Sequence, residues 1–127
     1  MGFLGAVLDK VEPGRVEILL PFRPELSQQH GFFHAGIIST IADTAGGYAG
    51  FTLFAPEAGV LTVEFKVSLL AAAEGERAIA VGQVLRSGRT LTVCHIDAFV
   101  EKNGARVHCA TGLQTLMALV GRSGVKD

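Results

Sequence analysis

The sequence predicts an α+β fold in which a curved antiparallel sheet wraps around one long central helix. Two successive patterns predict it: apolar residues recur at helical spacing through residues 34–53 and then at a spacing of two. Small residues cover much of the predicted helix, so a sheet can approach it closely; they are Ala42, Ala45, Gly46, Gly47, Ala49 and Gly50. Because the sheet's edge strand and part of the helix would stay exposed, we expect a homodimer at least.

The elements are predicted in a fixed order along the chain. A strand over residues 15–22 precedes a loop that begins at Pro24, and the helix ends before Pro56. Four antiparallel strands then follow, over residues 61–69, 77–86, 90–102 and 106–117. Asn103 and Gly104 predict a tight hairpin turn between the last two strands.

The strand over residues 61–69 has the clearest pattern in the chain. Its polar residues, beginning with Thr62, alternate with an apolar set formed by Leu61, Val63, Phe65, Val67 and Leu69. Because side chains of a strand point alternately to its two faces, this predicts that the apolar set is buried.

The composition predicts a soluble, single-domain protein over residues 1–127, with its core at about 14–119. Hydrophobic residues make up 49% and charged residues 18%, and no apolar run is long enough to cross a membrane. The N-terminal segment has no basic leader, so we expect a cytoplasmic protein. A net charge of −1 without a basic run argues against a nucleic-acid partner.

Cysteines and histidines give no sign of a metal or a disulfide. Cys94 and Cys109 lie on different predicted strands without a CxxC pattern, which favours reduced thiols in the core. His95 and His108 have no third ligand at metal spacing, so we predict structural roles for both and no metal site.

Asp43 is the residue that most needs an explanation, because it lies mid-helix among apolar and small residues. Burying an unpaired carboxylate costs many kcal/mol, so this group must be paired, protonated or used in chemistry. One interpretation is a structural aspartate bonded to the hydroxyls of Ser39 or Thr40. The other is a catalytic carboxylate.

Three segments carry a resemblance to a known family. Residues 28–36, QQHGFFHAG, followed at helical register by Asp43, resemble the signature of hotdog-fold acyl-CoA thioesterases of the PaaI (phenylacetic acid degradation) type. That signature is a polar amide, then His-Gly-Gly, then an acidic residue nine positions after the histidine. Residues 60–76 and 84–90 also resemble that family's strand after the helix and its next turn. The resemblance covers roughly residues 16–116.

The resemblance implies an acyl-CoA or aryl-acyl-CoA thioesterase that needs no cofactor. Asp43 would be the nucleophile or the general base, and sequence does not choose between them. The N–H of Ala35, at the helix N-terminus, would stabilise the oxyanion, although the family usually has glycine there. Gln28 matches the amide that orients the reactants. Thr62 matches a position that holds the attacking water across a dimer interface, so each site would join two chains.

The resemblance also implies where a substrate binds. We expect His34 to fix the entry of the chain into the helix, with Gly36 beside it at the site. The phosphates of coenzyme A need cations, and the candidates are Lys66, Arg86 and Arg89. Apolar contacts to the acyl group would come from aromatic residues near the helix, among them Phe33 and Tyr48.

Two other functions remain as alternatives. A hotdog-fold hydratase or dehydratase would recruit His30 or His34, but its Pro-Gly at the helix entry is missing here. A non-catalytic acyl-CoA binding module would keep the pocket and lose the chemistry. The expected assembly is a homodimer, and two dimers are expected to pair into a tetramer.

Overall fold

The computed structural model describes residues 4–28 and 31–119, and it contains one long helix and six strands. In chain order these are β1 (Val7–Glu12), β2 (Arg15–Pro21), a 3-10 turn (Pro24–Leu26), α1 (Ala35–Phe51), β3 (Gly59–Leu69), β4 (Arg77–Ser87), β5 (Leu91–Lys102) and β6 (Ala105–Leu119). Within the described ranges no helix is both long and apolar enough to cross a membrane.

The strands form one antiparallel sheet in the order β1-β2-β4-β5-β6-β3, which wraps around α1. The predicted α+β architecture is confirmed. The hairpin between β5 and β6 is also as predicted, because Asn103 and Gly104 both have positive φ, at 52° and 81°. Two successive positive φ values are those of the turn type that matches the twist of a two-stranded ribbon.

Glycines on the helix and on the sheet allow the two to approach each other closely. A Cβ added to Gly82 of β4 would lie 2.4 Å from the carbonyl carbon of Ala45 on the helix. A Cβ added to Gly46 would lie 1.9 Å from the side chain of Gln114 on β6. The small residues of α1 therefore set how closely the sheet approaches it, as the sequence predicts.

The sequence predicts five strands, and it misses β1. All six residues of β1 are exposed, so this strand has no buried face to produce an alternating pattern. Val7 and Leu8 are adjacent, and a bulge between Leu8 and Lys10 shifts the register against β2. Pairing with β2 makes this segment a strand, and the sequence pattern carries no sign of that pairing.

The prediction that the apolar set of β3 is buried is wrong for the single chain. β3 is an edge strand, and four of its apolar residues are exposed by 44–59%: Leu61, Val63, Phe65 and Leu69. A bulge between Thr62 and Glu64 breaks the alternation that the sequence suggests. A surface of this kind on an edge strand is typical of an interface.

The two faces of the sheet differ in chemistry. Cys94 of β5 lies against the helix, where its thiol contacts the carbonyl of Gly46 at 3.7 Å. His95 and Asp97 therefore point away from the helix. On that outer face Asp97 lies 2.7 Å from Nε2 of His108 and 3.4 Å from Nδ1 of His95. The histidines belong to a polar network between strands, in keeping with the structural role that we expect for them.

Both cysteines are free and buried, as predicted. Burial raises the pKa of the Cys94 thiol to about 11 and that of the Cys109 thiol to about 11 as well. Both side chains are therefore neutral thiols near pH 7.

Candidate functional site

The N-terminus of α1 is built by the residue before it. His34 has extended backbone angles, and its Nδ1 accepts a hydrogen bond from the N–H of Gly36 at 2.8 Å. Since Nδ1 accepts, a neutral imidazole carries its proton on Nε2. His34 thus caps the helix and fixes its entry, the structural role that the sequence predicts. The same bond occupies the N–H of Gly36, which a substrate cannot then use.

The N–H of Ala35 is the next donor at this end of the helix. Ala35 is exposed, and within the described residues its N–H has no acceptor. It borders a cavity of about 350 Å³ together with Gln28, Phe33 and His34. The remaining walls are largely apolar: Phe32, Ile38, Leu69, Ala71, Ala72, Ala73 and Cys109. A free N–H at a helix N-terminus beside an apolar cavity suits a carbonyl that becomes an oxyanion.

Asp43 lies two turns further along α1, partly buried between the helix and the sheet. Its Oδ1 accepts two hydrogen bonds, from the hydroxyl of Thr62 at 2.9 Å and from Nε2 of Gln114 at 2.6 Å. No ion pair within residues 4–28 and 31–119 includes it. Neutral donors alone therefore satisfy this oxygen.

The structural alternative for Asp43, a bond to a neighbouring helix hydroxyl, does not match the structure. The hydroxyl of Thr40 donates to the carbonyl of Gly36, and that of Thr44 donates to the carbonyl of Thr40. These are ordinary bonds back along the helix. The partners of Asp43 come from the sheet instead.

Thr62 is a partner of Asp43, but not in the way that the sequence predicts. The prediction that Thr62 reaches the carboxylate of another subunit is wrong, because the two side chains bond within one chain. Thr62 precedes the β3 bulge and pairs with Leu116, which is fully buried beneath the helix. Its hydroxyl therefore faces α1 of the same chain.

Gln114 is the residue of this cluster that sequence reasoning missed. It is fully buried on β6, and its Nε2 also donates to the backbone carbonyl of Asp43 at 2.8 Å. The sequence pattern gave one indication of its position, because Gln114 shares a strand face with Ala110 and Leu116, both of which are buried. An amide between inward-facing apolar residues needs a polar partner.

The structure divides the predicted site residues into two groups. Gln28, Phe33, His34 and Ala35 surround the cavity, whereas Asp43 and Thr62 lie elsewhere. Asp43 is eight residues after Ala35 in the helix, which separates them by about 12 Å along the helix axis. One chain therefore does not bring the carboxylate and the free N–H to a single carbonyl, which has to be about 3 Å from both.

Tyr48 and Lys66 belong to neither group. Tyr48 borders a second cavity, of about 330 Å³, with Ala6, Val7, Leu8 and Ile18. Lys66 lines a groove on the outer face of the sheet with His95, on the opposite side from Asp43.

Arg86 and Arg89 are exposed at the turn between β4 and β5. Strand register links this turn to Thr62, because Ser87 pairs with Thr92, Thr92 with Leu116, and Leu116 with Thr62. Three strand spacings separate Ser87 from Thr62, about 14 Å. Both arginines therefore lie at the end of the sheet that holds the Asp43 group.

Comparison with known proteins identifies the family of this chain. Residues 30–106 match the model of the thioesterase superfamily. A thioesterase family protein from Silicibacter pomeroyi is 52% identical, with a TM-score of 0.94 over 95% of this chain and 89% of that chain. A relative from Sulfurisphaera tokodaii, named only provisionally as an esterase, is 31% identical over 110 residues, which cover 87% of this chain and 79% of the relative.

A Bacillus halodurans protein solved with CoA has the same fold. It is 23% identical, with a TM-score of 0.74 over 81% of this chain and 66% of that chain. The family model spans more than half of the present chain. The chain therefore belongs to the thioesterase superfamily and is a thioester hydrolase.

Proposed function

We propose that this hydrolase cleaves acyl-CoA or aryl-acyl-CoA thioesters, in the manner of the PaaI-type enzymes, at sites shared between two chains. One chain provides Asp43 and Thr62, and the other provides the Ala35 N–H and the apolar cavity. The observation that carries the proposal is the Asp43 carboxylate, partly buried and held through Oδ1 by neutral donors. Such a group is suited to act as a base or a nucleophile.

A second chain supplies what the first one lacks. Asp43 and the Ala35 N–H are about 12 Å apart along one helix, which is too far for both to act on the same carbonyl. A twofold axis that set two helices antiparallel would bring Asp43 of one chain to Ala35 of the other. The same operation would create a second, equivalent site.

The edge of the sheet is a suitable place for that axis. Antiparallel pairing of two β3 strands about a point near Phe65 would put Thr62 of one chain opposite Leu69 of the next. Thr62 contacts Asp43, and Leu69 lines the cavity beside Ala35, so this pairing joins the two halves of the site. It also covers the exposed apolar residues of β3. Pairing of two such dimers stays a prediction.

The proposed chemistry needs no cofactor and follows one of two routes. As a general base, Asp43 takes a proton from a water whose oxygen attacks the thioester carbonyl; the Ala35 N–H holds the oxyanion, and collapse expels the CoA thiolate, which takes up the proton. As a nucleophile, the carboxylate attacks, CoA leaves, and water hydrolyses the mixed anhydride. Both routes yield the free acid and the CoA thiol.

The cavity and the arginines define the proposed substrate. Apolar walls around about 350 Å³ suit an alkyl or aryl acyl group. Arg86 and Arg89, at the Asp43 end of the sheet, would bind the CoA phosphates. Lys66, on the opposite face of the sheet, would not. The CoA in the Bacillus halodurans structure is consistent with a CoA ester.

An acyl-CoA panel tests the proposal through the release of free CoA thiol. We expect Asp43→Asn to lower kcat/KM by about 10²- to 10⁴-fold, the range for loss of a catalytic acid or base. Asp97→Asn is the matched control, because it makes the same change on the outer face, and it should keep wild-type turnover.

Three results would contradict the proposal. Unchanged turnover in Asp43→Asn removes Asp43 from the chemistry. Tight binding of acyl-CoA without hydrolysis by the wild-type protein favours a binding module, and hydration of an enoyl-CoA without thiol release favours a hydratase.

A further inference from the structure

We infer that Gln114 is a positioning residue that orients the Asp43 carboxylate and leaves its Oδ2 as the reactive oxygen. The inference deepens the proposed function and rests on it for the role of Asp43 in hydrolysis. Its physical basis is a set of contacts between β6 and the middle of α1, which no sequence motif indicates.

The orientation of the Gln114 amide follows from its partners. The –NH2 group lies 2.8 Å from the Asp43 backbone carbonyl and 2.6 Å from Oδ1 of the same residue. A carbonyl only accepts hydrogen bonds, so the group that faces it must be the donor. One amide thus holds both the backbone and the side chain of Asp43, which fixes the carboxylate relative to the helix.

The two oxygens of the carboxylate have different surroundings. Oδ1 accepts from both Gln114 and Thr62, and within the described part of the chain Oδ2 has no hydrogen-bond partner. The two donors hold the carboxylate in place from one side. Oδ2 is the oxygen left to receive a proton from water or to attack a carbonyl.

The pocket around the Gln114 side chain is shaped for it. Gln114 is fully buried, and an added Cβ on Gly46 would clash with its Oε1 and with Ile96. That Oε1 is itself buried with no partner among the described residues, which is unfavourable for stability. A methionine of similar length would fill this space without burying an amide, so packing alone does not account for glutamine here.

Gln114→Met removes both donated bonds and keeps the length of the side chain. We expect kcat to fall about 10- to 100-fold, the effect of losing a hydrogen bond to a charged group, with KM within about threefold of the wild type. The thermal midpoint should stay level or rise. Gln83→Met, on the exposed outer face, should change none of these values.

A double-mutant cycle separates positioning from a general structural effect. If Gln114 acts through Asp43, Gln114→Met should cost little further activity in an Asp43→Asn background. Gln114→Glu is a nearly isosteric second variant for the case in which methionine prevents folding. It replaces the donor with an acidic oxygen and should lower kcat at least as much as Gln114→Met does.

A spectroscopic measurement without turnover makes the test independent of the proposed function. The Asp43 carboxyl can be observed by ¹³C NMR and assigned by its loss in Asp43→Asn. Its chemical shift at neutral pH should differ between Gln114→Met and the wild type, because the carboxylate loses a hydrogen bond. Cys94 contacts the same helix turn through Gly46, but burial raises its pKa to about 11, so it is a neutral thiol at that pH.

An unchanged Asp43 chemical shift together with wild-type kcat in Gln114→Met would overturn the inference. A changed chemical shift in Gln114→Met together with full turnover in Asp43→Asn would instead leave Gln114 as the group that holds Asp43 and refute the proposed function. The two failures are therefore distinguishable.

Discussion

The N-terminus and the middle of α1 each lack a chemical group that the other region has. At the helix N-terminus a free N–H and an apolar cavity lie together, and no carboxylate lines that cavity within the described residues. In the middle of the helix a carboxylate is held by Thr62 and Gln114, about 12 Å away along the axis. In the proposed site the N-terminal region binds and polarises the carbonyl, and the middle region provides the group that attacks it.

This difference explains why the edge of the sheet is relevant to the chemistry. A single chain has both halves of the proposed site, but they are separated by two helical turns. The exposed apolar residues of β3 run along this edge strand from Leu61 to Leu69. Thr62, near one end of the strand, contacts Asp43, and Leu69, at the other end, lines the cavity. Symmetric pairing at that edge is the simplest operation that joins unlike halves from two copies.

Ala35→Pro gives the largest expected effect and tests the N-terminal half alone. Ala35 is the first helical residue, where the fixed φ of proline is favoured and an intrahelical N–H bond is not needed. His34 already has extended backbone angles, φ −63° and ψ 136°, which a following proline requires. We expect an intact fold and a loss of kcat of about 10²- to 10³-fold, the cost of one oxyanion donor. Measurement of kcat with circular dichroism checks both.

Ala35→Gly is the matched control for this substitution. It keeps the N–H, so turnover should stay within a few-fold of the wild type. Equal losses in the proline and the glycine variants would show that the N–H is not the group that matters.

The two cysteines report on the two halves separately. Cys109 lines the cavity, and Cys94 lies under Gly46 in the middle of the helix. Because burial raises the pKa of each thiol to about 11, we expect alkylation at pH 8 to be about a hundredfold slower than for a free peptide thiol. The rate should rise with pH up to about 11, as more thiolate forms.

Peptide mapping by mass spectrometry distinguishes the two thiols. Cys109 should react first, and an acyl-CoA that fills the cavity should protect it without affecting Cys94. Protection of both thiols, or of Cys94 alone, would contradict the assignment of the cavity to the acyl group.

Two adjacent glycines give the smallest effects and test the middle region. A Cβ on Gly46 would overlap Gln114, whereas one on Gly47 would meet nothing within 4 Å. Gly46→Ala should destabilise the protein by about 1–3 kcal/mol through overpacking, and Gly47→Ala should stabilise it by up to about 1 kcal/mol through helix propensity. Chemical denaturation measures both. Similar values for the two variants would mean that Gln114 does not fill the space beside Gly46.

Most of the fold is predictable from the sequence, because helices and half-buried strands leave periodic patterns. The long helix, the Asn103-Gly104 turn and the order of the later strands follow from local signals. β1 does not, since an edge strand with all six residues exposed has no periodic buried face. For β3 the apolar pattern is present, but nothing within the chain covers it. The prediction that its apolar residues are buried was wrong for that reason.

The site was predictable only in part. Asp43 is conspicuous because its neighbours are apolar, and the resemblance assigns it a role. The sequence does not show which chain supplies Thr62 to the site, because the bulge after this residue determines the direction of its hydroxyl. Gln114 is 71 residues from Asp43, and only the register of β6 under the helix brings them together. Contacts of this kind depend on tertiary packing and leave no local pattern.

Mixed dimers test the central claim, a site shared between chains, most directly. Ala35→Pro and Asp43→Asn chains with different tags can be co-expressed and the mixed dimer purified. Each mixed dimer then holds one intact site, so we expect about half the wild-type rate although both parent homodimers are nearly inactive. The reverse mixture, a wild-type chain with a chain that carries both substitutions, should be nearly inactive. No recovery in the first mixture and half the wild-type rate in the second would contradict the shared site.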